Sequence, residues 1–240
     1  MSTIYETGHA RNIANFQKMI EFVTEYGADY NPSKRSLTLP TLITLKADAD
    51  AALLDVITKN TLYNGKVNTR IDAFADLRPL STRLVNALQS TDASAETIKD
   101  AKAINKKIQG KRSATPPVPT DPDQPAPNSI SASQQSYDQL TQHFTGLKTV
   151  LQNEPTYMPN EADLQIPTLD DLIADLTTKN NEVAKAYTKI SNARIERDKI
   201  IYDGKENLLE TASEVKNYVK SVFGAASPQY KQVNALRFRK

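Results

Sequence analysis

The chain has 240 residues and a mass of 26.6 kDa, room for one large domain or two of roughly 110 to 120 residues. Thirty basic against 28 acidic residues leave a net charge of +2, too little for a global field that draws the whole molecule to nucleic acid or a membrane. No cysteine, no tryptophan and only seven glycines exclude disulfide scaffolds, thiolate chemistry, Gly-rich phosphate loops and the tight turns of an all-β protein.

Residues 1–11 carry Glu6, His9 and Arg11 and no apolar run of signal-peptide length, and no stretch approaches the ~18 apolar residues of a membrane span. A cytoplasmic location without membrane insertion is therefore expected. Ile13, Phe16, Ile20 and Val23 mark a first helix that ends near Gly27. Tyr30-Asn-Pro32 then reads as a loop anchor with a buried ring, and Pro40-Thr41 as a helix start with Thr41 as its cap. From Leu42 a helical seam with polar interruptions runs through Leu45, Ala49, Ala52, Val56, Lys59, Tyr63, Val67, Arg70, Phe74, Leu77, Ser81, Leu84 and Leu88 at spacings of three and four. Asn64-Gly65 reads as a turn within it, and Pro79 should break it near Arg78. Ile98, Ala101, Ile104 and Ile108 complete the first group, which Gly110 closes.

Residues 113–128 hold six of the thirteen prolines. Proline lacks the N–H that a helix or a central strand needs, so this is a semi-extended linker. Beyond it Tyr137, Leu140, Phe144, Leu147 and Leu151 mark another helix. Leu169, Leu172, Leu176, Val183, Tyr187, Ile190, Arg194 and Ile201 mark a long one that Asp203-Gly204 ends, with Thr168 and Asp171 as a capping pair at its start. Leu208, Ala212, Val215, Tyr218, Val219 and Val222 form a last seam, closed by Gly224 and Pro228.

An offset of 127 residues aligns Tyr30-Asn-Pro32 with Tyr157-Met-Pro159, and Leu37 to Leu42 with Leu164 to Leu169; nine of nineteen ungapped positions are identical. That excess over chance reads as an internal duplication. The expected fold is all-α: two related antiparallel helical-bundle halves, 1–112 and 129–240, joined by the linker 113–128.

The segments Glu6 to Phe16, Arg83 to Leu88, Lys106 to Arg112 and Val215 to Val233 resemble a family of uncharacterised helical proteins from Bacteroidota. The resemblance spans nearly the whole chain and implies a helical protein. It carries no activity and no functional residue.

Candidate chemistry is sparse. Glu6 and His9 have the Glu-x-x-His spacing of a carboxylate-bridged metal bundle, but no second copy exists; His143 reads as a surface or boundary residue. There is no Gly-x-Ser-x-Gly turn, and Gln109-Gly-Lys-Arg112 lacks the spacing of a phosphate loop. No catalytic residue, cofactor or metal is expected. Charge is distributed unevenly: residues 99–112 hold six basic residues and one acid, and residues 216–240 hold six basic residues and none. Lys99, Lys102, Lys106, Lys107, Lys111, Arg112, Lys216 and Lys220 are thus a candidate basic interaction surface, although lysines near a helix C-terminus need no ligand to explain them. In the tail, Leu236 and Phe238 alternate with Arg237 and Arg239, the period of an extended segment that anchors in a groove. The function these features suggest is a non-enzymatic structural or protein-interaction module that self-associates or binds another protein. A nucleic-acid-associated protein using the basic helix ends stands second, and an enzyme or metal-binding bundle third.

Overall fold

Ile13, Phe16, Met19, Ile20 and Val23 are all buried, and the helix they define, α1 (Tyr5–Glu25), stops short of Gly27, whose φ is +58°. A side chain there would strain the backbone, so the glycine ends the helix. The computed structural model describes residues 5–110 and 135–240. After α1 come α2 (Leu39–Phe74), α3 (Leu77–Gln89), α4 (Ala95–Ile108), α5 (Tyr137–Gln152), α6 (Ile166–Asp198), α7 (Leu208–Phe223) and α8 (Pro228–Ala235). No strand occurs among the described residues, and the all-α class is as expected. The linker expected at 113–128 lies outside them.

The seam read along α2 and α3 is the side that packs: Leu42, Ala49, Val56, Phe74, Leu77, Ser81, Leu84 and Leu88 are buried and the seam positions between them are half-buried. Two breaks fall elsewhere than expected. Asn64-Gly65 makes no turn, because the packed face continues on both sides of it and α2 stays helical. The break comes at Ala75-Asp76, ahead of Arg78, and Pro79 lies in the first turn of α3, where a missing N–H costs nothing. The threonine caps are also displaced. Both long helices begin before Thr41 and Thr168, and Thr168 donates its hydroxyl backward to the Ala162 carbonyl at 2.7 Å.

On α6 the buried line is Leu169, Leu176, Asn180, Val183, Ile190, Ala193 and Arg197, with Ile201 just beyond. Tyr187 and Arg194 lie outside it, contrary to the sequence reading; Tyr187 instead meets the Tyr63 ring at 6.0 Å. The stripe shifts because residues before and after about 185 pack into different cores. α6 ends in a π-helical turn, Lys199–Asp203, closed by Gly204, whose N–H bonds the Lys199 carbonyl at 2.8 Å. A Cβ on Gly204 would meet that oxygen at 2.7 Å, so only glycine fits.

Packing does not follow the halves 1–112 and 129–240. One unit comprises residues 1–64 and 186–240, the other residues 65–185. The first core joins α1 and the start of α2 to Ile201, α7 and Val233 of α8. The second joins the end of α2, α3 and α4 to α5 and the start of α6. The reason is physical: the amphipathic pattern is unbroken at 64–65 and at 185–186, so each long helix leaves one core and enters the other.

The repeated block nevertheless folds alike in both places. Tyr30 and Tyr157 are buried, and each phenol donates to the carbonyl seven residues on, Leu37 at 2.8 Å and Leu164 at 2.9 Å. A 3-10 turn follows in each, Arg35–Leu37 and Ala162–Leu164, and each long helix then has proline at its second position. Burial pushes both phenols up, Tyr157 to about 12, with Glu161 and Asp163 adding to it.

Candidate functional site

α1 places His9, Asn12 and Asn15 three residues apart, one above the other on one side of the helix. The C-terminal tail runs along that side. Asn12 binds the backbone of Arg239 from both ends of its amide: Nδ2 donates to the carbonyl at 2.6 Å, and Oδ1 accepts the N–H at 3.1 Å. Asn15 donates to the Arg237 carbonyl at 2.7 Å, and the Lys216 amine, from α7, to the Leu236 carbonyl at 2.6 Å. Lys240 closes the segment on Asp203. Backbone groups that would otherwise need water are thus satisfied by side chains, as a neighbouring strand would do.

Leu236 and Phe238 pack against the first core while Arg237 and Arg239 stay exposed, the alternation that the tail's two-residue period predicts. The Lys216 amine also lies 5.3 Å from the centre of the Phe238 ring. Burial, with Arg237 nearby, holds its pKa below the usual lysine value. Beneath the tail, the Tyr202 hydroxyl meets His9 Nδ1 at 2.8 Å and Asn12 Nδ2 at 3.3 Å, and burial pushes that phenol up.

Sequence reading missed three parts of this seat. α8 was not foreseen, although Ser227-Pro228 is a helix start: the Ser227 hydroxyl caps Tyr230 N–H at 3.1 Å, and Pro228 needs no partner there. His9 and Asn12 were missed as tail supports, yet two polar residues bordering Ile13 and Phe16 were the available signal. Lys216, counted among the free basic residues, instead holds the tail. Lys220 is exposed, 5.7 Å from the centre of the Tyr230 ring.

The other basic residues belong to the second unit. α4 starts on a Ser94 cap, with Thr97 N–H bonded to the hydroxyl at 3.1 Å, and buries Ala101 and Ile108. Lys99, Lys102 and Lys106, spaced three and four apart, share an exposed side, with Lys107 exposed beside them. None makes an ion pair among the described residues. Lys111 and Arg112 lie outside the described residues. His143, on α5, is half-buried, as a boundary residue should be; burial and then Lys107 keep its pKa below the usual histidine value. Among the described residues no three His, Asp or Glu side chains gather as metal ligands; the side chain of Glu6 is outside them. No helix among those residues is long and apolar enough to cross a membrane.

No protein-family model, no curated protein and no solved structure matches the chain.

Proposed function

We propose that this protein is a non-enzymatic helical-bundle module that acts by binding protein surfaces, first of all a second copy of itself. One observation carries the reading. Within the first unit, α2 already buries Leu42, Ala49 and Val56, yet Ile43, Leu54, Ile57 and Leu62 stand 51%, 63%, 53% and 62% exposed. A helix that has satisfied its own core gains nothing from a further set of large apolar side chains in water. Each would contribute on the order of 1 kcal/mol if covered, about half the value of a fully buried aliphatic side chain. The residues flanking them, Lys46 with Asp50 and Asp55 with Lys59, form ion pairs along the same helix. With Asp48, the stretch 43–62 holds two lysines and three aspartates for a net charge of −1, so a second copy meets only a small electrostatic barrier on it.

An internal duplication of one helical plan is part of this proposal, supported by the matching tyrosine anchors at Tyr30 and Tyr157. Sedimentation over a wide concentration range tests self-association. The native chain should gain mass with concentration, and the double variant Leu54→Glu, Ile57→Glu should stay monomeric with unchanged circular dichroism. A native chain that stays monomeric throughout would refute it.

Binding of nucleic acid is a second reading, favoured by the four exposed lysines of α4. It ranks below the first because Lys216 is already engaged by the tail. Fluorescence anisotropy with single- and double-stranded probes at low salt decides it, since binding through phosphates must weaken steeply as salt rises.

A further inference from the structure

The groove that seats the tail grips backbone and leaves most side chains alone. Asn12 holds the Arg239 amide from both ends, and Asn15 and Lys216 take the carbonyls of Arg237 and Leu236. Arg237 and Arg239 are exposed and make no ion pair among the described residues. Leu236 and Phe238 face inward and are half-buried, and Lys240 meets Asp203. The groove therefore selects for an extended backbone, a large apolar side chain at each of two alternate positions, and a cation at the next alternate position.

The groove is more firmly built than its occupant. Asn12 and Asn15 project from α1, which the first core holds through Ile13, Phe16, Met19, Ile20 and Val23. The Tyr202 hydroxyl, itself against His9 Nδ1 at 2.8 Å, accepts from Asn12 Nδ2 at 3.3 Å and so fixes which end of that amide donates to the tail. Past Val233, by contrast, no side chain of the tail is fully buried. A segment with few buried apolar contacts opens at low cost, and a seat with its polar groups already aligned loses little freedom when it is filled again.

We propose that this groove is a docking site for an extended segment of a partner protein with the pattern apolar-x-apolar-x-basic, and that the tail is its built-in competitor. The bonds to Asn12, Asn15 and Lys216 are the same whichever chain supplies the backbone. Main-chain bonds that give affinity, with places for alternate side chains that give specificity, are the physics of strand addition; here asparagine amides on a helix stand in for the neighbouring strand. The groove uses none of the exposed residues of α2, so this inference and the self-association reading fail independently.

The test is fluorescence anisotropy of a labelled peptide of residues 235–240, titrated with the full chain. The double variant Leu236→Ser, Phe238→Ser frees the tail and should bind the peptide about 10-fold or more tighter than the native chain, whose tethered tail competes at high effective concentration. A peptide of the same composition, with leucine and phenylalanine each exchanged for the arginine that follows it, should bind the freed chain about 10-fold or more weakly. So should a peptide N-methylated at the residue matching Arg239, and adding Asn12→Ala to the freed chain should cost about as much, because both remove the amide clamp. Circular dichroism checks that each variant folds. If the double variant does not fold, Lys240→Glu, which sets two acids against each other at Asp203, loosens the tail instead. No binding by a folded tail-released chain, equal affinity of the native and released chains, equal affinity for the exchanged peptide, or binding undiminished by Asn12→Ala or by N-methylation would each overturn the proposal.

Discussion

The two units build a core on the same kind of helical face and finish it differently. The first closes over itself: Tyr218 covers Tyr30, Phe223 meets Tyr26 edge-on at 5.2 Å, and the tail is laid along α1. The second gives Tyr157 no ring neighbour among the described residues and turns a row of lysines outward on α4. Its own aromatic contact lies elsewhere, where Phe74 meets Tyr137 edge-on and the Arg70 guanidinium stacks 4.1 Å from the Tyr137 centre. Two outcomes from one anchor teach that the Tyr-x-Pro block fixes how a long helix begins and buries its tyrosine in both units, while residues far along the chain decide which groups cover the anchor.

The heaviest blow to this comparison would come from the cores. Phe16 and Phe144 are both fully buried, one in each unit. Truncation of either to alanine should cost about 3–5 kcal/mol, because the lost apolar contact is joined by a cavity that close-packed neighbours fill only in part. Residue-resolved hydrogen exchange should place the loss of protection for Phe16→Ala first at α1, α7 and α8, and for Phe144→Ala first at α3, α4 and α5. Identical exchange patterns for the two variants would show that the units are not separate in stability.

A smaller effect isolates the tail. Asn12→Ala removes both side-chain bonds to Arg239 and should destabilise by about 1–3 kcal/mol, the net worth of two hydrogen bonds. The Arg239 amide should then exchange at the rate of an unprotected chain. Lys216, held below the usual lysine pKa by burial, should titrate closer to an ordinary lysine once the tail lifts. A Lys216 titration identical to the native one would show that the tail stays seated without Asn12.

The helices were legible because their apolar spacing is long and regular, and most ends are written in single residues: Gly27, Gly110 and Gly224 all take positive φ just after a helix. What could not be read was which face meets which. The sequence halves looked like domains because the prolines of 113–128 separate them, whereas the cores are built across that boundary by α2 and α6. Spacing says that a face is buried and is silent about the partner. Asn64-Gly65 shows the related error, since its turn propensity is local and a packed helix overrides it. The candidate site divided in the same way. Leu236 and Phe238 were legible from alternation alone, whereas Lys216 looked like its basic neighbours because its fate depends on a backbone carbonyl twenty residues away.

The finest distinction between the units is electrostatic. Both anchor phenols are pushed above the usual 10 by burial, Tyr157 to about 12, and Tyr30 also by the Tyr218 phenol beside it. Between these values the unfolded chain releases protons that the folded chain retains, so the unfolded state binds fewer and stability must fall as pH rises above 10. Below pH 10 the contribution is whole. Tyr157→Phe and Tyr30→Phe should each lower stability near neutral pH by about 0.5–1.5 kcal/mol through the lost hydroxyl bond to Leu164 or Leu37, and each should flatten the alkaline decline. The flattening should be greater for Tyr30→Phe, because the ionisable Tyr218 phenol beside it adds to burial in holding that proton. Urea midpoints at pH 8, 10 and 11 for the native chain and both variants read all of this; equal alkaline slopes in all three would mean that neither anchor is as enclosed as its contacts require.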